Sequence, residues 1–117
     1  MSTTVLIIDD HPGFRATARA LLEAEGYEVV GEAGTGVAGI AAVHKLRPDV
    51  VLLDVQLPDF DGFEVASRLS SNGSSAAVVL TSSRDASDFG PLVAQSGARG
   101  FVPKAELSGG ALATLIA

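Results

Sequence analysis

The chain has 117 residues and a mass of 11.9 kDa, with 47% hydrophobic residues, 19% charged residues and a net charge of −6. This is the size of one domain, and its apolar content is enough to bury a core, which excludes a disordered chain. The absence of cysteine excludes disulfides and thiolate metal sites, and the acidic pI of 4.6 argues against nucleic-acid binding by this segment.

Short apolar runs alternate with longer helical patterns along the whole chain. In order, the predicted elements are strand 5–8, helix 12–25, strand 28–33, helix 37–47, strand 50–53, helix 63–70, strand 76–80, helix 89–96, strand 101–102 and helix 107–117. Gly31 and Glu32 interrupt the second strand, which is typical of an edge strand. Pro91 restricts the fourth helix to a short, late one with Asp88 as its predicted N-cap.

This alternation predicts an α/β fold, with a five-stranded parallel sheet that is doubly wound, so that helices cover both faces. The first, third and fourth strands are the most apolar, which favours the strand order 2-1-3-4-5. Ligands of such sheets bind beyond the carboxyl ends of the strands, between strands 1 and 3. That edge is the predicted functional site.

Five polar side chains follow the predicted strands at this edge: Asp9, Asp10, Asp54, Thr81 and Lys104. Three nearby carboxylates repel one another, and a hard cation such as Mg²⁺ relieves that repulsion. A carboxylate also serves as a nucleophile in reactions that form an aspartyl phosphate. Asp54 ends the central strand and is the best-placed nucleophile. Lys104 would then provide a positive charge for the phosphoryl oxygens, and Thr81 a hydroxyl donor.

These residues belong to longer motifs. They are LIIDDHP at 6–12, DVVLLDVQLP at 49–58, DG at 61–62, VLTS at 79–82 and GFVPK at 100–104. Through these motifs the chain resembles, over essentially its whole length, the receiver domain of two-component response regulators. The resemblance implies the flavodoxin-like receiver fold. It also implies a domain that phosphorylates and dephosphorylates itself and is not a turnover enzyme.

The resemblance implies a role for each residue at the carboxyl edge. Asp54 matches the phosphoacceptor, with Thr81 and Lys104 as its catalytic neighbours and a sensor histidine kinase as the phosphoryl donor. The implied Mg²⁺ ligands are Asp9, Asp10, Asp54 and the backbone carbonyl of Gln56. Thr81 and Phe101 match the switch pair through which phosphorylation changes the surface of helix 4, strand 5 and helix 5.

Two segments, 30–33 and 104–107, resemble the subclass of regulators that carry a LuxR-type helix-turn-helix and control transcription. We therefore expect residues 1–117 to be one receiver domain, cut from a longer regulator. The apolar runs are far shorter than the roughly 18 residues of a membrane span, so we expect no membrane contact and a cytoplasmic location. Small and apolar residues on the exposed faces of helices 1, 4 and 5 indicate a homodimer.

Two other functions stay open at this point. Gly34, Gly36 and Gly39 match the G-x-G-x-x-G dinucleotide fingerprint between a strand and a helix, but that function leaves the acidic residues without a role. An aspartyl-phosphate phosphatase needs a second acid two residues after the nucleophile, where this chain has Gln56. His11 is interpreted as a neighbour of the first helix cap and not as a metal ligand.

Overall fold

The computed structural model describes residues 2–84 and 86–117, so Met1 and Asp85 lie outside the described part. The strands are β1 (Thr4–Ile8), β2 (Glu28–Ala33), β3 (Val50–Asp54), β4 (Ala77–Ser82) and β5 (Gly100–Pro103). The helices are α1 (Pro12–Ala24), α2 (Gly36–Leu46), α3 (Gly62–Ser71), α4 (Leu92–Gln95) and α5 (Gly109–Ile116), with 3₁₀ turns at Ala86–Phe89 and Lys104–Glu106. Among the described helices, none combines the length and the apolar character that crossing a bilayer requires.

The strands form one parallel sheet in the order β2-β1-β3-β4-β5, which confirms the predicted topology. The central strand β3 pairs with β1 and β4, and its last residue Asp54 lies opposite Thr81. The β2 strand is an edge, as predicted, and its register shifts between Val5 and Leu6 of β1. An irregularity of this kind is common at sheet edges.

The core has two halves, one on each face of the sheet. Successive side chains of a strand point to opposite faces. In β1, Leu6 and Ile8 therefore pack under α2 and α3, whereas Val5 and Ile7 pack under α1 and α5. All four of these β1 side chains are fully buried. Because helices cover both faces of the sheet, β3 and β4 have no polar residue before their carboxyl ends.

The region around the fourth helix corrects the predicted boundaries. The helix begins at Leu92, after Pro91 at its N-cap, instead of at residue 89. Asp88 does not cap it, because this residue belongs to the preceding 3₁₀ turn. Gly90, with a φ of 57°, separates the turn from the helix. The last helix also starts later than predicted, at Gly109, where the Ser108 side chain accepts the capping hydrogen bond from the Ala111 N–H.

Candidate functional site

The acidic residues predicted for the carboxyl edge converge there. Asp9 directly follows β1, and the register of Ile8 with Leu53 places it beside Asp54 at the end of β3. Both residues are buried, with 0% and 3% exposure respectively. Asp10 is more exposed, and one carboxylate oxygen from each acid lies within 4.8 Å of the others and of a ring nitrogen of His11. We call Asp9, Asp10 and Asp54 the acidic cluster.

Lys104 links the two buried members of the acidic cluster. Its Nζ lies 2.8 Å from Asp9 Oδ2 and donates a hydrogen bond of 3.4 Å to Asp54 Oδ2. The contact with Asp9 is an ion pair without hydrogen-bond geometry, so Asp9 Oδ2 accepts no hydrogen bond from the described residues. The same ammonium lies 4.4 Å from the ring centroid of Phe14 on α1. Lys104 is thereby held over the acidic cluster by three elements.

The environment of Asp54 favours its protonated form. Burial raises the pKa of the Asp54 carboxyl above its ordinary value of 3.8, and the negative charge of Asp9 raises it further. The Lys104 ammonium and the N–H of Gln56 oppose this shift by stabilising the ionised form. The ionised Asp54 carboxylate is therefore electrostatically unfavourable in the folded protein, and a bound cation would stabilise it.

This cost predicts that Asp54→Asn is more stable than the parent protein in metal-free buffer at neutral pH. The neutral amide removes a buried charge beside Asp9, and we expect a gain of about 1 kcal/mol in the free energy of unfolding. Because the folded pKa is raised, the parent loses stability as the pH rises from the unfolded value of 3.8 through the folded pKa. Urea unfolding should therefore show the gain at neutral pH and its disappearance below 3.8. An equal gain at all pH values would contradict this explanation.

Thr81 and Phe101 lie at the same edge, on neighbouring strands. Thr81 is 1% exposed, and its hydroxyl has no hydrogen-bond partner among the described residues. In the sheet register Phe101 lies beside Leu80, whereas Thr81 lies beside Val102. The half-buried Phe101 ring packs against Phe89 at 5.6 Å between centroids. The structure thus places both residues, and their role as a switch pair stays a prediction.

The residues of the acidic cluster fit a hard divalent cation such as Mg²⁺. They are carboxylates, the ligands that Mg²⁺ prefers, and their mutual repulsion falls when a cation binds. Asp9 Oδ2 is buried, and the Lys104 ammonium at 2.8 Å balances only part of the charge of the three carboxylates. Such a cluster is what the resemblance to receiver domains implies for a Mg²⁺ site. The predicted fourth ligand, the backbone carbonyl of Gln56, follows Asp54 by two residues and stays a prediction.

His11 occupies the N-cap position of α1, but its side chain makes no capping hydrogen bond. Instead its Nδ1 lies 3.0 Å from both Asp9 Oδ1 and Asp10 Oδ1. The backbone N–H of His11 also donates to Asp9 Oδ1, at 2.8 Å. His11 therefore lies at the cap position itself and not beside it as predicted, and its ring adds a polar contact to the acidic cluster that was not predicted from the sequence.

Two of the three glycines of the dinucleotide fingerprint, Gly36 and Gly39, have packing roles in this structure. A Cβ at Gly39 would lie 2.5 Å from Ile8 Cδ1, so its absence lets α2 approach the sheet. The N–H groups of Gly36 and Val37 donate to the two carboxylate oxygens of Asp59, at 2.7 and 2.9 Å. These hydrogen bonds, that of Val37 first, lower the pKa of Asp59. A pyrophosphate would need the same N–H groups, which Asp59 already occupies. The geometry therefore favours a structural cap by Asp59 over dinucleotide binding at the start of α2.

Two further contacts at the site were not predicted from the sequence. Arg15 Nη1 donates a hydrogen bond of 2.6 Å to the backbone carbonyl of Asp9. Phe14, predicted only as an apolar position of the first helix, also reaches the site beneath Lys104. A cation near the start of a helix that follows an acidic loop is a weak signal for such a contact, because most arginines are solvent-exposed.

The comparisons with known proteins agree with this geometry. The response regulator receiver domain family matches residues 5–116. The virulence factors transcription regulator BvgA of Bordetella pertussis is 42% identical over 106 residues, which are 91% of this chain and 51% of BvgA. The chain thus spans about half the length of this curated relative.

Two solved structures give the same result. The signal receiver domain of the response regulator NarL from Mycobacterium tuberculosis is 34% identical and superposes with a TM-score of 0.86, covering 97% of this chain and 96% of that one. A LuxR-family two-component response regulator from Aurantimonas is 28% identical with a TM-score of 0.87, covering 98% and 86%. With the receiver topology and its acidic cluster, these matches show that the chain belongs to the response regulator receiver domain family of two-component signalling, and its relatives include LuxR/NarL-family regulators.

Proposed function

We propose that this receiver accepts a phosphoryl group from a sensor histidine kinase on Asp54 and transmits the change to a transcriptional output. The observation that carries the proposal is the placement of Asp54, buried at the end of the central strand beside Asp9, with the Lys104 ammonium in contact with both carboxylates. Receiver domains are generally not turnover enzymes, and this one would modify only itself.

The proposed transfer is a displacement at phosphorus. An Asp54 oxygen attacks the phosphoryl group of the donor phosphohistidine, so that a P–O bond forms while the P–N bond breaks. The bonding electron pair stays on the imidazole nitrogen, which takes a proton from solvent. Lys104 assists in two ways. It favours the ionised, nucleophilic form of Asp54, and its ammonium lies where negative charge develops on the phosphoryl oxygens.

The proposed Mg²⁺ ligands are Asp9, Asp10, Asp54 and the backbone carbonyl of Gln56. When bound, Mg²⁺ supplies positive charge next to the phosphoryl oxygens. The chain's own contribution is to hold the carboxylates in place before the metal arrives. The Asp9 N–H donates to the Ala33 carbonyl at 2.9 Å, and the Asp9 side chain accepts from the His11 N–H at 2.8 Å.

We propose that the output follows from the buried hydroxyl of Thr81. A phosphoryl group on Asp54 offers new acceptor oxygens, and the adjacent Thr81 hydroxyl, buried without a partner in the part of the chain described, is a suitable donor. Movement of Thr81 would let Phe101 repack and change the surface of α4, β5 and α5. BvgA is named as a transcription regulator and is about twice as long, which supports transcription as the output and a longer regulator as the whole protein.

The first test is incorporation of a phosphoryl group from acetyl phosphate, followed by intact mass. With Mg²⁺ we expect one added phosphoryl group on the parent protein and none when a chelator is present. Asp54→Asn should gain no mass, because the amide is a poor nucleophile.

Asp59→Asn serves as the matched control, because Asp59 is exposed in the loop after β3 and caps α2 instead of joining the acidic cluster. It should still incorporate one phosphoryl group. If the parent gains no mass at saturating donor and metal, or if Asp54→Asn gains as much as the parent, Asp54 is not the phosphoacceptor.

A further inference from the structure

Arg15 connects the acidic cluster with the edge of the sheet. From the first turns of α1 its guanidinium makes two hydrogen bonds in different directions. Nη1 donates to the Asp9 carbonyl at 2.6 Å, and Nε donates to Glu32 Oε1 at 3.0 Å. The side chain is only 21% exposed although it lies near the protein surface. Arg15 thus bridges the loop after β1 and the edge strand β2.

Glu32 is itself held by a second arginine. Arg19, one helical turn after Arg15, donates from Nε to Glu32 Oε2 at 2.7 Å. The hydrogen bond from Arg19, together with that from Arg15, lowers the pKa of Glu32, so the carboxylate is charged under ordinary conditions. Two cations share one anion here, but only Arg15 also contacts the main chain of Asp9 in the part of the structure described.

The Asp9 carbonyl belongs to the peptide that joins Asp9 to Asp10. A hydrogen bond at this carbonyl therefore restrains the peptide plane from which both carboxylates extend. The neighbouring Asp9 N–H is already bonded to the Ala33 carbonyl. Arg15 restrains the other main-chain group of Asp9, its carbonyl. The planar guanidinium can donate to this carbonyl and to the Glu32 carboxylate at the same time.

We propose that Arg15 is a positioning residue, which holds the Asp9–Asp10 peptide so that the two carboxylates are preorganised for Mg²⁺. Contacts behind the ligands of a metal orient those ligands, and their loss commonly weakens metal binding. This proposal rests on the proposed function of the acidic cluster.

The direction of the effect separates positioning from charge. If Arg15 acted only through its charge, its removal would leave the acidic cluster more negative and would tighten Mg²⁺ binding. If it acts by positioning, its removal weakens binding even though a competing cation has gone. We therefore expect Arg15→Gln to raise the dissociation constant for Mg²⁺ by about tenfold.

The experiment is a Mg²⁺ titration of the full chain, followed by the backbone amide signals of residues 9–11 in NMR spectra. Arg19→Gln is the matched control, because it removes the same charge and also loses a bond to Glu32 but leaves the Asp9 carbonyl contact intact. Arg15→Lys keeps the charge with a single donor group and should weaken binding less than Arg15→Gln. Urea unfolding of the same variants separates loss of stability from loss of positioning.

A positioning role predicts weaker Mg²⁺ binding in Arg15→Gln than in Arg19→Gln and a changed Asp10 amide signal already without metal. Equal or tighter binding in Arg15→Gln would overturn the inference. Acetyl phosphate labelling of the parent separates this result from the proposed function. If the parent binds Mg²⁺ but takes no phosphoryl group, the phosphoacceptor function fails while the positioning of the metal ligands is still decided by the titration.

Discussion

Lys104→Met is expected to slow phosphoryl incorporation at Asp54 by about 100-fold, because one preorganised charge is lost from the reacting site. The ammonium lies 2.8 Å from Asp9 and 3.4 Å from Asp54. The Nδ1 of His11 also lies near both carboxylates, at 3.0 and 3.8 Å, but a histidine ring carries a positive charge only when it is protonated. Methionine has a similar length and fills the space beside Phe14 without a charge. The initial rate of mass gain from acetyl phosphate at saturating Mg²⁺ measures the effect.

The same substitution should also destabilise the metal-free protein. Asp9 and Asp54 would remain buried without their cation, which costs about 3 kcal/mol when one partner of a buried ion pair is removed. Saturating Mg²⁺ should recover part of this loss, since it binds the folded state.

Lys45→Met provides the matched control for Lys104→Met. The chain has only these two lysines, and Lys45 lies exposed on α2. It should keep the parent rate of phosphorylation and the parent stability within about 0.5 kcal/mol. Equal rates in the two variants would show that Lys104 does not assist the transfer.

The second large effect is expected for Gly62→Ala, at the start of α3. A Cβ at this position would overlap the backbone carbonyl oxygen of Asp54 and lie 2.8 Å from Val55 Cα. Backbone atoms of a central strand do not move aside as a flexible side chain does, so we expect a loss of about 3 kcal/mol in the free energy of unfolding. The Gly62 N–H also bonds to the Val55 carbonyl at 2.6 Å, which keeps α3 at this short distance.

Gly13→Ala tests whether the loss is specific to close packing. Gly13 lies in the first turn of α1, where a Cβ would meet nothing within 4 Å. Alanine favours the helix there, so we expect no loss and a gain of up to about 1 kcal/mol. Urea unfolding measures both variants, and a similar loss in the two would refute the explanation by overlap with Asp54.

Several features of the fold follow from local sequence alone. The continuous apolar runs of β1, β3 and β4 predict strands covered on both faces, and the interrupted run of β2 predicts an edge. A parallel sheet brings the carboxyl ends of its strands to one edge, so the positions of Asp9, Asp54 and Thr81 along the chain were enough to predict their meeting. The N-cap of α3 is also local, because the Asp61 side chain accepts a hydrogen bond from the N–H of Glu64, three residues later.

Contacts between distant segments could not be predicted in this way. Asp59 caps α2, but the two are separated by more than twenty residues, and nothing in the local pattern selects one of several turn carboxylates as the partner. The boundary of α4 depends on Gly90 and Pro91 together with the packing of Phe89 against Phe63 and Phe101. A local sequence pattern predicts that a helix forms. It does not predict the packing that decides at which residue the helix begins.

The sequence by itself determined the sheet order, the edge that carries the site and the residue types gathered there, because strand periodicity and parallel topology allow few alternatives. Only the tertiary structure decided how the site is held. Three contacts between distant segments hold it. Lys104 bridges Asp9 and Asp54, Arg15 donates a hydrogen bond to the Asp9 carbonyl, and Gly62 lies close to the backbone of Asp54. Such distances are set by the packing of whole helices on the sheet. A local pattern of residues does not predict that packing.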